Sequence, residues 1–198
     1  MVATRSLARE LAEQGLSQTM MWERGVDHDL FRADRAPLPA YAGLARPIQL
    51  YVGRVAVEKN IGAFLDCVGS GTKVIVGDGP ALAQLKARYP QALFLGKLSG
   101  ETLASAYSGA DVFVFPSRTD TFGLVLIEAM ACGTPVAAFP VTGPVDVVRQ
   151  GTTGMMSEDL RGAALAALDL DRDTVRRHAA EYSWQAATDQ FVRNLRPR

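Results

Sequence analysis

The sequence contains few of the residues from which nucleophilic and metal-dependent sites are commonly built. Among its 198 residues there are two cysteines and two histidines. His28 and His178 lie far apart in the chain, so we expect neither a Ser-His-Asp triad nor a histidine metal site. Cys67 and Cys132 each lie in an apolar run, which favours two reduced core residues over a disulfide or a metal pair.

Excess charge and long hydrophobic runs are also lacking. The 21 basic and 21 acidic residues balance, and no run of Lys or Arg is longer than a pair, so we expect neither a nucleic-acid footprint nor a basic membrane-binding patch. No apolar run approaches the roughly eighteen residues of a membrane-spanning helix. Met1 is not followed by a basic and then apolar secretion signal. These features predict a cytoplasmic protein that does not bind nucleic acid.

Short strands and helical segments alternate from Pro47 onward. The runs PIQLYVG, TKVIVG, ALFLG, DVFVF, TPVAAF and TGMM are predicted strands, and helices are predicted around residues 61–68, 80–88, 100–108 and 122–132. Such alternation predicts an α/β fold, a Rossmann-like doubly wound parallel sheet. Ligands in this architecture bind at the carboxyl ends of the strands, near the point where strand order reverses. The loops that follow the strands are therefore the candidate site.

The stretch 110–138 contains the strongest candidate for an anion site. Its strand, 112–115, is apolar throughout, and a helix is predicted from about Phe122 with Gly123 in the first turn, where a ligand can approach the backbone amides. Glu128 lies about 7 Å further along the helix axis, within reach of a sugar next to a bound phosphate. A short oxygen-bearing side chain before the helix is expected to cap it: Ser117, Thr119, Asp120 or Thr121.

Two cations follow the first predicted strand. Arg54 lies just beyond it and Lys59 lies near the start of the next helix, so the pair could hold a diphosphate. The alternative from the residues alone is that Arg54 forms a surface ion pair with Glu58.

Two further motifs resemble an NAD-binding site and a metal site, and in both cases the residues favour another interpretation. Gly77, Asp78 and Gly79 form a tight turn before a predicted helix that opens at Pro80, but Leu82 replaces the third glycine of the dinucleotide fingerprint, which disfavours an NAD site. The overlapping Asp-x-Asp pattern, Asp169, Asp171 and Asp173, could hold a divalent metal ion. We interpret it instead as the acidic start of a helix.

The stretch 110–138 resembles the donor-binding signature of retaining glycosyltransferases of the two-Rossmann-domain, or GT-B, type, family 4, also called glycosyl transferases group 1. The resemblance implies that Asp120 contacts the donor sugar, that the turn at 122–125 contacts sugar and diphosphate, and that Glu128 binds the ribose. Most members have Glu where this chain has Asp120, and a glycolipid-making subset carries the shorter acid. GRVAVEKN is similar to the family motif whose Arg and Lys neutralise the leaving diphosphate.

The resemblance implies four catalytic residues, Arg54, Lys59, Asp120 and Glu128. It also implies a donor-binding set in which the segment around residues 95–97 faces the nucleobase. The members of that set are Gly53, Gly77, Asp78, Gly79, Leu95, Gly96, Lys97, Thr121, Phe122, Gly123, Leu124 and Val125. Beyond the nucleotide-sugar substrate, no cofactor and no metal ion are expected.

The resemblance also predicts how the chain is divided. Residues 1–46 are expected to be a remnant of the acceptor domain and a connector, including a helix capped by Ser6 and ended by Gly15. Residues 47–182 are expected to form the nucleotide-sugar-binding domain, and 183–198 a crossover helix whose Trp184, Phe191 and Leu195 lack a partner. The chain is then the C-terminal half of a GT-B enzyme, and the acceptor domain is missing.

The resulting hypothesis is the donor domain of a retaining glycosyltransferase that moves a hexose from a nucleoside diphosphate sugar, UDP- or GDP-linked, to an acceptor. The isolated domain is expected to be inactive, and the complete enzyme could associate peripherally with a membrane. Two alternatives stay open. One is a non-catalytic nucleotide-binding subunit of a split enzyme, which a copurifying partner would reveal; the other is a GT-B-fold epimerase, which would convert the donor without an acceptor.

Overall fold

A six-stranded parallel sheet forms the centre of the computed structural model, which describes residues 1–67, 69–120 and 122–195. The strands are β1 (Ile48–Val52), β2 (Thr72–Val76), β3 (Leu93–Gly96), β4 (Val112–Phe115), β5 (Val136–Ala138) and β6 (Gly154–Met156). Their spatial order is β3-β2-β1-β4-β5-β6. All five neighbouring pairs are parallel, and strand order reverses between β1 and β4. The predicted Rossmann-like doubly wound sheet is confirmed.

The helices of the described residues cover both faces of this sheet. They are α1 (Arg5–Glu13), α2 (Ile61–Asp66), α3 (Leu82–Arg88), α4 (Gly100–Gly109), α5 (Leu124–Ala131), α6 (Pro144–Val147), α7 (Leu160–Ala167), α8 (Arg172–Ala179) and α9 (Trp184–Asn194). Short 3-10 turns occur at Pro39–Tyr41 and Val57–Lys59. No helix in the described residues combines the length and hydropathy needed to cross a bilayer.

Alternating residues of the central strands divide the core into two layers. Leu50 and Phe113 pack with α4, α5 and α8 on one face, whereas Tyr51 and Val114 pack with α2, α3 and α7 on the other. β1 and β4 are buried along their whole length, as expected for strands covered by helices on both sides. The site therefore rests on two strands that the core holds from both faces.

Two predicted helix starts are wrong by a few residues. α1 is capped by Thr4, whose hydroxyl accepts from the backbone N–H of Leu7, and Ser6 lies inside the helix. α3 begins at Leu82, because Pro80 lies in the preceding turn. Thr4 has the extended backbone of an N-cap residue, and the N–H of Ala81 donates to the carbonyl of Val55, so the residues just before Leu82 form a turn.

Residues of the segment 1–46, the predicted remnant of an acceptor domain, pack into the main core, the core layer that contains Leu50 and Phe113. Phe31 and Tyr41 are buried there, and the hydroxyl of Tyr41 donates to the carbonyl of Ala106. The prediction that Trp184, Phe191 and Leu195 form an apolar stripe without a partner is partly wrong. The centre of the Phe191 ring lies 5.0 Å from the centre of the Trp22 ring. The other two members of the stripe, Trp184 and Leu195, are exposed.

The two cysteines are free thiols. Cys132 is buried in the main core, and burial raises the pKa of its thiol to about 12. Cys67 follows α2 and is half-buried. Cys132 is therefore a core residue, as predicted, whereas Cys67 is only partly buried.

Candidate functional site

Two adjoining cavities open at the carboxyl ends of the strands. The first, the switch-point cavity, measures about 320 Å³ and lies between the loops that follow β1 and β4. The second, the glycine cavity, measures about 470 Å³ and lies beyond β1, β2 and β3. They share Val52, Gly53 and Arg54. This is where a doubly wound sheet places its ligand.

Most of the predicted site residues line one of these cavities. The switch-point cavity is lined by Arg24, Tyr51, Val52, Gly53, Arg54, Lys59, Phe115, Asp120, Phe122, Gly123, Leu124 and Val125. The glycine cavity adds Val76, Gly77, Asp78, Gly79, Lys97 and Leu98. Thr121 lies outside the described residues. The sequence did not single out Arg24 or Tyr51.

The turn before α5 differs from the prediction. Gly123 is the N-cap residue, with φ 79°, and α5 begins at Leu124 rather than at Phe122. A left-handed residue cannot belong to the first turn of a helix, which explains the shift. An added Cβ would lie 2.9 Å from Cδ1 of Leu126, so glycine also suits the packing here.

The expected side-chain cap of α5 is not found among the described residues. Gly123 is the N-cap residue and has no side chain, and no side-chain cap hydrogen bond is found for this helix in the described residues. Asp120 accepts a hydrogen bond from Lys59. The predicted cap is therefore wrong for the candidates that the structure describes. The first-turn amides of a helix without a side-chain cap are free to bind an anion.

Lys59 and Asp120 form an ion pair in the switch-point cavity. Nζ of Lys59 lies 2.9 Å from Oδ2 of Asp120, and the two side chains are 25% and 22% exposed. The neighbouring Asn60 donates from Nδ2 to the carbonyl of Pro116 over 3.1 Å, which fastens the β1 loop to the end of β4. The predicted phosphate-binding cation thus lies against the predicted sugar-binding acid.

Arg54 adopts the arrangement that the surface alternative described. Its Nη1 lies 3.5 Å from Oε1 of Glu58, and the side chains are 66% and 52% exposed. An exposed pair at this distance contributes between about 0 and 1 kcal/mol, so a phosphate can compete for the guanidinium. The backbone beneath it is fixed, because the hydroxyl of Tyr51 donates to the carbonyl of Arg54 over 2.8 Å.

Glycines let the loops beyond β1 and β2 pack backbone against backbone. A Cβ added to Gly77 would lie 1.8 Å from the carbonyl oxygen of Gly53, and one added to Gly79 would lie 2.4 Å from that of Val55. The carboxylate of Asp78 accepts from the N–H of Gly79 over 2.7 Å, inside the turn. These residues shape the wall of the glycine cavity.

The predicted base-binding segment contributes one side chain to this wall. Lys97 lines the glycine cavity, whereas Leu95 packs against the core. Gly96 ends β3 with φ 73°, and its carbonyl accepts from the N–H of Gly77 over 2.8 Å. The segment is therefore fixed to the same turn that carries the glycines.

Glu128 lies in α5 and is not among the described residues that line the switch-point cavity. Its Oε2 accepts a hydrogen bond of 2.8 Å from the hydroxyl of Tyr107, a fully buried residue of α4. Burial raises the pKa of Glu128, and the hydrogen bond from Tyr107 opposes that rise. A desolvated carboxylate favours further hydrogen-bond donors, and the hydroxyls of a ribose are of that kind.

The loop after β5 approaches Asp120. A Cβ added to Gly143 would lie 3.2 Å from the carbonyl oxygen of Asp120, and the φ of Gly143 is 95°. Asp146, in α6, accepts from the N–H of Ser6 over 3.0 Å. The start of α1 is thereby placed beside the same edge of the sheet.

The acidic cluster after α7 starts a helix. Asp171 is the N-cap of α8, and its carboxylate accepts from the backbone N–H of Thr174 over 3.0 Å. Within the described residues, no three His, Cys, Asp or Glu side chains lie close enough together to hold a metal ion. Both histidines lie beside Tyr182: Nε2 of His28 is 3.1 Å from its carbonyl oxygen, and the ring of His178, buried in α8, is 5.9 Å from its ring.

Comparisons with known proteins show the family of this chain. The sequence model of the family glycosyl transferases group 1 matches residues 46–173. A GDP-mannose-dependent alpha-mannosyltransferase of Corynebacterium glutamicum is 32% identical, over 93% of this chain and 49% of its own length. The sulfoquinovosyl transferase SQD2 of Arabidopsis thaliana is 31% identical, over 98% of this chain and 43% of its own. The chain thus spans about half the length of these relatives.

Among solved structures, sucrose-phosphate synthase from Thermosynechococcus elongatus is similar, with a TM-score of 0.77 and 28% identity, covering 98% of this chain and 57% of that one. The Anabaena protein HepE in complex with UDP superposes with a TM-score of 0.76 at 19% identity, covering 98% and 62%. The second likeness shows the fold alone.

Proposed function

The chain belongs to the glycosyl transferases of group 1, and from that membership we propose that it is the donor-binding half of a retaining glycosyltransferase. The substrate is a nucleoside diphosphate hexose, and the acceptor is held by a domain outside this chain. One observation carries the proposal: the switch-point cavity brings Arg54, Lys59 and Asp120 together with the 122–125 turn.

The proposed chemistry follows from charge. Negative charge grows on the diphosphate as its bond to the sugar breaks. Arg54, Lys59 and the uncapped amides at the start of α5 stabilise this charge, and they do so without a metal ion. Interactions that strengthen as the bond breaks lower the barrier, whereas uniform binding does not.

Each of the two acids has its own role in this proposal. Glu128, held from behind by Tyr107, binds the ribose hydroxyls. Asp120 binds the sugar, and the incoming diphosphate draws Lys59 away from it. The retaining outcome rests on the resemblance of the 110–138 stretch to retaining enzymes, in which the acceptor attacks the face that the leaving group departs from.

Calorimetric titration with UDP, GDP, ADP and their sugars tests the proposal. We expect at least one of these nucleotides to bind weakly, with an affinity that EDTA leaves unchanged. The structural neighbour HepE binds UDP, whereas the Corynebacterium relative is named for GDP-mannose, so both bases belong in the panel. A chain that binds none of the nucleotides would not be a donor domain.

The absence of the acceptor half gives a second test. We expect the purified 198-residue chain to transfer no sugar to any acceptor. Measurable transfer would contradict this part of the proposal. Conversion of the donor without acceptor would favour the epimerase alternative, and a copurifying partner that restores transfer would favour a split enzyme.

A further inference from the structure

Arg24 is a third cation of the switch-point cavity, and it comes from the connector rather than from a strand loop. Arg24 lines the cavity together with residues that the sequence had already selected. Among the described residues that line this cavity, three are cations and one is a carboxylate: Arg24, Arg54, Lys59 and Asp120. The balance leaves a net positive charge, which suits an anionic ligand.

The three cations differ in how they are neutralised. Lys59 is paired with Asp120 at 2.9 Å, and Arg54 lies 3.5 Å from Glu58. In the part of the chain that the structure describes, no carboxylate lies within ion-pair distance of Arg24. Its charge is therefore compensated least among the three.

Arg24 is held in place without a counter-charge. Its guanidinium lies 4.6 Å from the centre of the Trp22 ring, and Nη1 donates to the carbonyl of Trp22 over 3.3 Å. Stacking on an aromatic ring orients a guanidinium while leaving most of its N–H groups available, and those groups match phosphate oxygens in geometry. Trp22 is itself packed against Phe191 of α9.

The backbone on both sides of Arg24 is fixed as well. The N–H of Glu23 donates to the side chain of Gln190 over 2.6 Å, and the N–H of Val26 donates to the carbonyl of Tyr182 over 3.0 Å. Gly25 lies so close to the start of α9 that an added Cβ would lie 2.4 Å from the backbone nitrogen of Trp184. A cation mounted this rigidly loses little entropy when it binds.

We infer that Arg24 binds the diphosphate of the donor, completing from the connector side the cation set that Arg54 and Lys59 begin. The inference rests on the proposed function, because it assigns a further ligand-binding residue to the same site. It makes the connector and α9 part of the donor site.

Titration of the full chain with a nucleoside diphosphate and with the corresponding nucleoside tests this inference. The nucleotide is whichever of UDP, GDP and ADP the unmodified chain binds. Arg24→Gln removes the charge and should weaken diphosphate binding about tenfold or more, the range for a hydrogen bond to a charged group, while nucleoside affinity changes less than about twofold. Arg24→Lys should recover part of the loss.

Arg88→Gln is the matched control, because Arg88 also stacks on an aromatic ring, Tyr89, at 5.1 Å, but lines neither cavity. It should leave both affinities unchanged. Trp22→Leu should weaken diphosphate binding in the unmodified chain and have little further effect in Arg24→Gln, since the ring acts through the guanidinium.

Two results would overturn the assignment of Arg24. One is a diphosphate affinity of Arg24→Gln within about twofold of the unmodified chain; the other is an equal loss for the nucleoside. Thermal unfolding of each variant separates a binding defect from a folding defect. If the unmodified chain binds no nucleotide, both the proposed function and the assignment of Arg24 are wrong. If the unmodified chain binds a nucleotide and Arg24→Gln binds it equally well, only the assignment of Arg24 is wrong.

Discussion

Nζ of Lys59 lies 2.9 Å from Oδ2 of Asp120, across the gap between the loops that follow β1 and β4. In the proposed function, Lys59 contacts the diphosphate of the donor and Asp120 contacts its sugar. A diphosphate that attracts Lys59 releases the carboxylate, and a sugar that donates to Asp120 releases the cation. Binding of the two halves of the donor is expected to be coupled through this pair.

Asp120→Asn should separate the two halves of the donor. We expect nucleoside diphosphate affinity to stay unchanged or to rise slightly, because Lys59 is freed, whereas affinity for the nucleotide sugar falls about tenfold. Calorimetry with both ligands measures the ratio. Asp173→Asn is the control, since its exposed carboxylate lies on α8. Equal changes for the two ligands would remove Asp120 from the sugar site.

Arg54→Ala and Lys59→Ala should each weaken diphosphate binding by about 1–3 kcal/mol and leave nucleoside binding nearly unchanged, because each removes a charged donor. Glu58→Gln is a control that removes the exposed partner of Arg54. It should leave diphosphate affinity equal or slightly higher. The assignment fails if nucleoside and nucleotide lose affinity to the same extent.

Glu128→Gln should weaken ribonucleotides more than their 2′-deoxy counterparts, since an amide accepts hydrogen bonds from the ribose less strongly than a carboxylate. Tyr107→Phe should act in the same direction, because it removes the hydroxyl that orients the carboxylate. The measured quantity is the ratio of ribo to deoxyribo affinity. A ratio that neither substitution changes would make Glu128 a structural residue.

Glu128 should also make folding stability depend on pH. Burial raises its pKa above the ordinary value of 4.5, so the folded chain binds the proton more tightly than the unfolded chain. Its contribution to stability is then greatest below pH 4.5 and declines as pH rises through the folded-state pKa. Denaturant unfolding of Glu128→Gln should lack this decline. A difference between the two proteins that stays constant with pH would contradict the argument.

Gly77→Ala should destabilise the fold, because the new methyl group would lie 1.8 Å from the carbonyl oxygen of Gly53 and the backbone there cannot yield easily. The expected cost is about 1–3 kcal/mol, the range for overpacking. Gly69→Ala is the control, since a Cβ there meets nothing within 4 Å. Thermal or denaturant unfolding decides: similar stabilities for both variants would mean that the loops separate at no cost.

The sheet was predictable because its strands are short, apolar and separated by turns. The loop positions of Arg54, Lys59 and Asp120 followed from those strands, since parallel strands place their carboxyl ends at one edge. The start of α5 was less predictable. Local propensity favours extending that helix back to Phe122, whereas the left-handed Gly123 prevents it.

The residues that the sequence did not reveal are those placed by long-range contacts. Arg24 reaches the cavity because Trp22 packs on Phe191, and these two rings are brought together by the last helix. In the sequence, Tyr107 cannot be distinguished from other apolar positions of α4. Only the folded chain shows that its hydroxyl donates a hydrogen bond to Glu128. No local pattern encodes contacts of either kind.

The burial of α5 has a consequence for how the molecule can be observed. Leu126, Ile127, Ala129 and Met130 have no exposed surface, and the helix packs against α4, α6, α8, β4 and β5. A helix enclosed in this way exposes its amides to solvent only when the whole domain opens. Amide hydrogen exchange over residues 126–131 is therefore expected to report the global free energy of unfolding. A nucleotide that binds the folded state alone will slow that exchange by a factor that rises with the ratio of its concentration to its Kd, even at amides that it never contacts.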